Sequence, residues 1–181
     1  ICDVLLGHWQ RAKGLAQPLS VGQIRGVLEP LAAHMMQQGV REMRTADVLN
    51  VIQGPLADVG VRLDTINTFL PAIQASSGLY VEREHDEWGF AHLSFQEYLA
   101  SSYMRKQNAP VNWRTLVDDG WWHETLRLYA AQGDATALLK ACLDLDTVHA
   151  LLLASECVEE ALRLEPGYEK AKRLLRALDG P

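Results

Sequence analysis

The sequence predicts a mainly α-helical protein with a single β-hairpin, and three observations carry that expectation. Apolar residues recur at helical spacing up to about Ile73, the period changes to two between Leu79 and His92, and helical spacing returns from Phe95 onward. Hydrophobic residues make up 48% of the 181, enough to bury one sizeable core, or one core with a smaller helical extension.

Residues 1–13, ICDVLLGHWQRAK, read as an amphipathic helix closed by Gly14, with Arg11 and Lys13 in its last turn, where cations suit the helix dipole. The chain lacks an initiator methionine and starts on apolar residues already at helical spacing, so it is expected to be a piece of a longer protein. Pro18 opens a second helical region whose stripe is Ile24, Val27, Leu28, Leu31, Ala32 and Met35; Pro30 should bend it and Gly39 stop it. Thr45 is the expected N-cap of the next helix, with Val48, Leu49 and Ile52 inward and Gly54-Pro55 as its break or kink. Asp64 is expected to cap a further helix through Ile66, Phe69, Leu70 and Ile73, ending at Ser76-Ser77-Gly78.

The hairpin follows. LYVERE puts Leu79, Val81 and Arg83 on one face, EWGFAHL puts Trp88, Phe90 and His92 on one face, and the polar tip Glu84-His85-Asp86-Glu87 lies between. Ser94 then begins S-F-Q-E, the pattern of a capping box in which Ser94 and Glu97 satisfy each other's backbone N–H groups. The helix after it carries Phe95, Tyr98, Leu99, Ser102 and Tyr103 along one stripe to about Lys106. Helices, then a two-stranded wing, then a helix packed behind it describe a winged-helix arrangement. Beyond Asn108-Ala109-Pro110, short helical segments opening on Asp and joined by Gly or Pro turns suggest a repeat-like extension of the HEAT or TPR kind. The expected organisation is a connecting helix over 1–16, a winged-helix domain over 17–108 and the helical extension over 109–181.

Composition limits the chemistry. With 17 basic against 23 acidic residues, a net charge of −6 and a pI near 5.5, tight binding to a phosphate backbone is not expected. Cys2, Cys142 and Cys157 are few, odd in number and far from C-x-x-C spacing, so neither a disulfide framework nor a zinc site is indicated. No run reaches the roughly 18 apolar residues of a membrane helix, and a cytoplasmic setting is expected. The sequence has no P-loop, nucleophile elbow, H-E-x-x-H or G-x-G-x-x-G pattern, and its six histidines never fall in metal-ligand spacing, so no catalysis or metal site of its own is expected. His92 is the candidate binding residue: it directly precedes a helix start, where unpaired N–H groups and the dipole favour an anion, and an imidazole there can donate to a phosphate oxygen.

The stretch GLYVEREHDEWGFAHLSFQEYLASSYM resembles the winged-helix segment of NACHT-type signal-transduction ATPases of the STAND, NLR-like group, whose hallmark is F-x-H-x-S/T-F-Q-E-Y/F-x-A. Phe90, His92, Ser94, Phe95, Gln96, Glu97, Tyr98 and Ala100 all fit it. CDVLLGHW is similar to the helix that joins the ATPase core to the winged helix in that family, and LEPLAAHMMQQG to its first long winged-helix-domain helix. The resemblance covers about residues 1–107 and is looser beyond.

It implies an upstream ATPase core that holds ADP or ATP with Mg, a winged helix folded back over bound ADP, and a histidine, here His92, touching a diphosphate oxygen. Exchange for ATP then opens the molecule and lets it self-assemble, with partner binding through the helical region and, in bacterial relatives, a link to defence or signalling. Phe95 and Tyr98 are expected in the core, and Gln96 and Glu97 to be structural. Two alternatives stay open. A DNA-binding winged helix would need basic residues in DTINTFLPAIQASSG, which has none, and the wing tip is acidic. A helical interaction scaffold would use Trp113, Trp121 and Trp122 as an exposed aromatic patch.

Overall fold

The computed structural model describes residues 20–61, 66–107 and 110–164. The helix expected over 1–13 and the Asp64 cap lie outside them. Helix α1 (Val21–Gln38) opens on a capping box that the sequence reading missed: the Ser20 hydroxyl accepts from the Gln23 N–H at 3.2 Å, and Gln23 Oε1 accepts from the Ser20 N–H at 2.9 Å. Gly39 closes the helix as expected, in the left-handed region at φ 66°, and Val40 N–H bonds the Met35 carbonyl beyond it. The predicted stripe from Ile24 to Met35 is buried. Pro30 lies inside the helix without ending it.

Chain order continues with β1 (Glu42–Arg44), α2 (Thr45–Asp58), α3 (Ile66–Ser77), β2 (Tyr80–Glu84), β3 (Glu87–Phe90) and α4 (Leu93–Lys106). Thr45 is the first residue of α2 rather than its N-cap; Arg44 takes that position with no side-chain cap. The physical reason is that the Thr45 hydroxyl accepts the Trp88 indole N–H at 3.1 Å and so is directed at the sheet. Gly54-Pro55 does not break α2, which runs on to Asp58 and buries Leu56.

The expected hairpin is present, turning at Asp86 with φ 68°. A third strand joins it: β1 pairs antiparallel with β3, giving the sheet order β1-β3-β2. Glu-Met-Arg carries no alternating apolar signal, which is why β1 was not visible in the sequence. Gly89 lets the strands approach: a Cβ there would sit 2.6 Å from the Arg41 carbonyl oxygen. Tyr80, Trp88 and Phe90 form the buried aromatic layer, with Tyr80 edge-on to Phe90 at 4.9 Å and stacked on Trp88 at 6.0 Å.

The described residues divide into two compact units at Tyr103/Met104, within the last turns of α4. The second unit contains α5 (Trp113–Asp118), a 3₁₀ turn (Gly120–Trp122), α6 (His123–Ala131), α7 (Thr136–Leu145) and α8 (Val148–Leu164). Its core is formed by α8 packed on α6 and α7, with Leu126, Leu138, Cys142, Leu153 and Cys157 inside. Asp146, expected to cap α8, instead ends α7 in the left-handed region at φ 50°; Thr147 caps α8 by accepting from the Ala150 N–H at 3.2 Å. Asp134 does serve the start of α7, accepting from the Thr136 N–H at 3.0 Å. Trp122 is buried, Trp121 half-buried, and Trp113 packs on Tyr129 at 5.0 Å, so these rings do not form an open aromatic patch. The chain is thus a mainly helical winged-helix domain with a small antiparallel sheet, followed by a helical extension.

Three substitutions test this reading of the fold by chemical denaturation. Gly89→Ala is expected to cost about 1–3 kcal/mol, because the methyl group meets backbone that cannot give way. Gly54→Ala, an exposed helical site with nothing within 4 Å, is expected to stabilise by about 0.5–1 kcal/mol. Thr45→Val is expected to lower stability by about 1–3 kcal/mol, since the Trp88 indole loses its acceptor.

Candidate functional site

The site is built where the central strand hands over to α4. Phe90, the last residue of β3, is buried under the Tyr80 ring, and Ala91 N–H still bonds the Leu79 carbonyl at 2.9 Å. His92 comes next and is exposed. Its carbonyl accepts from the Phe95 N–H at 3.1 Å, and its ring meets Phe95 edge-on at 5.6 Å. The imidazole is therefore carried between a paired strand and a helix start, and is supported on one side by an aromatic ring.

Helix α4 starts at Leu93, one residue before the expected Ser94 cap. His92 occupies the position before the helix, and Ser94 lies exposed in the first turn. The remaining hallmark residues divide by burial. Gln96 is only 1% exposed, and its amide Nε2 donates to the Val40 carbonyl at 3.0 Å and faces Met36 Sδ at 3.4 Å, tying α4 to the end of α1. Glu97 is buried as well.

Phe95 and Tyr98, expected in the core, are only half-buried, because the helix turns Gln96, Leu99, Ala100, Ser101 and Ser102 inward. The long Arg25 side chain of α1 reaches α4: it stands 6.0 Å from the Tyr98 ring, bonds Ser102 Oγ at 3.2 Å and pairs with the buried Glu29 at 2.9 Å.

The sequence reading passed over Arg83, which it placed only on a strand face. Its Nη2 donates to the carbonyls of Phe90 and Ala91 at 2.5 and 2.6 Å, directly before His92. Arg83 lies at a register shift between Glu82 and Glu84, which a period-two reading of the strand does not signal.

Other chemistry is sparse. Among the described residues no group of three or more His, Cys, Asp or Glu is placed to hold a metal, and no helix is long and apolar enough to cross a membrane. Burial pushes the Cys142 thiol up to about 11 and raises Cys157 further, which keeps both sulfurs protonated at neutral pH. An open groove of about 490 Å³ lies beside β1, lined by His34, Glu42, Arg44 and Asp47 among others, and does not include His92. Helix α3, which a DNA-reading winged helix would present to the groove, carries no Lys or Arg.

Comparison with known proteins agrees with this architecture. No curated protein and no solved structure matches the chain. A family profile described as a winged helix-turn-helix domain C-terminal to NACHT matches residues 1–104, more than half of the 181. The helices before the wing, the paired strands and all but the last two residues of α4 fall within that match, and on it the chain belongs to the family of winged helix-turn-helix domains that lie C-terminal to NACHT.

Proposed function

We propose that the chain is the conformational-control segment of a NACHT-type ATPase, and that His92 holds the closed, ADP-bound state. The observation that carries this reading is the placement of His92: an exposed imidazole directly before α4, two residues past a strand that is paired on both sides. An imidazole N–H there fits an oxyanion such as an ADP phosphate oxygen, with the N–H groups of the first turn of α4 behind it. The upstream core supplies the rest of the nucleotide site and the Mg, and this segment contributes no catalysis of its own.

In this reading His92 releases its contact when ATP replaces ADP. The winged-helix side then moves away and the protein self-assembles, while the extension over 109–181 offers surface to a protein partner. The connecting helix over 1–16 and the winged-helix domain over 17–108 transmit the movement. A bacterial defence or signalling role in the cytoplasm follows from the same family resemblance.

Magnitude limits what His92 does alone. One charge-assisted hydrogen bond contributes about 1–3 kcal/mol, whereas even a millimolar complex needs about 4.1 kcal/mol. The 181-residue chain by itself is therefore expected to show no saturable ADP binding below millimolar concentration by calorimetry. In the protein carrying its NACHT module, His92→Ala is expected to speed ADP release about 10- to 100-fold, read with a fluorescent ADP. Release at the wild-type rate from a normally folded variant would sink the clamp. Gln96→Ala separates folding from function: it is expected to cost about 1–3 kcal/mol of stability. His92→Ala, on an exposed side chain, should stay within about 0.5 kcal/mol of wild type.

A further inference from the structure

Arg83 is the one Lys or Arg of the hairpin, and it bonds backbone carbonyls. Carboxylates surround it in sequence at Glu82, Glu84, Asp86 and Glu87, yet its guanidinium turns away from them. Tyr80 faces Phe90 in the strand register, so the Arg83 side chain, three residues further on, runs back along the hairpin to reach Phe90 and Ala91. One nitrogen, Nη2, donates to both carbonyls. They belong to the last residue of β3 and to the first of the two residues linking it to α4. Phe90 and Ala91 also lie past the final register pair of β1, which opposes Glu42 to Gly89. The link carries His92 and has few other fixings: the Ala91 N–H bond to Leu79, the His92 carbonyl bond from Phe95, and the edge contact of the two rings.

We infer that Arg83 is the positioning residue for His92, bridging the Phe90 and Ala91 carbonyls so that the link between β3 and α4 offers the imidazole in one direction. This rests on the proposed contact between His92 and an ADP phosphate. The physical cause is angular. A hydrogen bond weakens steeply as its angle closes, so an imidazole on a freely turning link loses most of its value even though it is still present. The guanidinium is a rigid planar donor held by two acceptors at once. A lysine would keep the charge on a flexible stem and hold the link less firmly.

The test is a double-mutant cycle in the protein carrying its NACHT module, loaded with a fluorescent ADP. Release rates are measured for wild type, Arg83→Ala, Arg83→Lys, His92→Ala and the Arg83→Ala/His92→Ala pair, with thermal midpoints alongside. Arg83→Ala is expected to release ADP about 10-fold faster, Arg83→Lys to fall between it and wild type, and the pair to be no faster than His92→Ala alone. A role in folding alone would add to the His92 effect instead of vanishing within it.

Wild-type release from Arg83→Ala, with fast release from His92→Ala, overturns the positioning role and leaves the His92 clamp standing. An additive pair overturns the positioning role too. Wild-type release from His92→Ala overturns both. If Arg83→Ala does not fold, Arg83→Gln replaces it in the cycle, with about 3-fold faster release expected and the same criterion of non-additivity.

Discussion

Strand β3 is bonded along both edges, to β1 on one side and to β2 on the other, and the arrangement of the first unit depends on that double pairing. A strand with two neighbours has little freedom to slip, because a one-residue shift would turn Trp88 and Phe90 out of the core. Its pairing with β1 requires Gly89, whose missing side chain makes room for the Arg41 carbonyl. Its indole at Trp88 reaches Thr45 and thereby orients the start of α2. Its last residue is buried under Tyr80, and the next but one is His92. The position of the histidine is thus inherited from the sheet.

The polar groups around α4 explain why a motif so rich in chemistry-bearing residues is mostly architectural. Gln96 answers the Val40 carbonyl, which follows the end of α1. Glu29, buried within α1, is neutralised by Arg25, which also reaches α4 at Ser102. Buried amides and charges are stable only when partnered, and the bonds of Gln96 to Val40 and of Arg25 to Ser102 cross between elements, so those two also set where α4 runs. With those side chains engaged inside, His92 is the hallmark residue whose ring is left outward and free of any such bond, and Arg83 is turned toward its backbone.

Much of this was legible from residue order, and the reasons for the gaps are physical. The apolar stripe of α1, the Gly39 stop, the hairpin and the helix behind it all follow from periodicity and from glycine's access to the left-handed region. Capping was less legible. S-x-x-Q at Ser20 and S-x-x-E at Ser94 look alike in sequence, yet only the first forms the reciprocal pair at a helix start, because α4 begins earlier, at Leu93. Thr45 and Asp146 show the same competition: a side chain suited to a cap was claimed by the Trp88 indole in one case, and a residue tolerant of positive φ ended the preceding helix in the other. Strand β1 and the Arg83 contact depend on tertiary pairing, which three residues without apolar alternation and one exposed arginine do not announce.

The seam at His92 also joins two regions of unequal local stability. Amide protons in β3 are locked between two partners and can exchange only through large openings, whereas those in the first turn of a helix are released by end fraying. His92 sits on that step. Turning its ring or its backbone draws on the small free energy of one helical turn and leaves the sheet intact, so the wing behaves as a rigid mount and the first turn of α4 as its compliant joint.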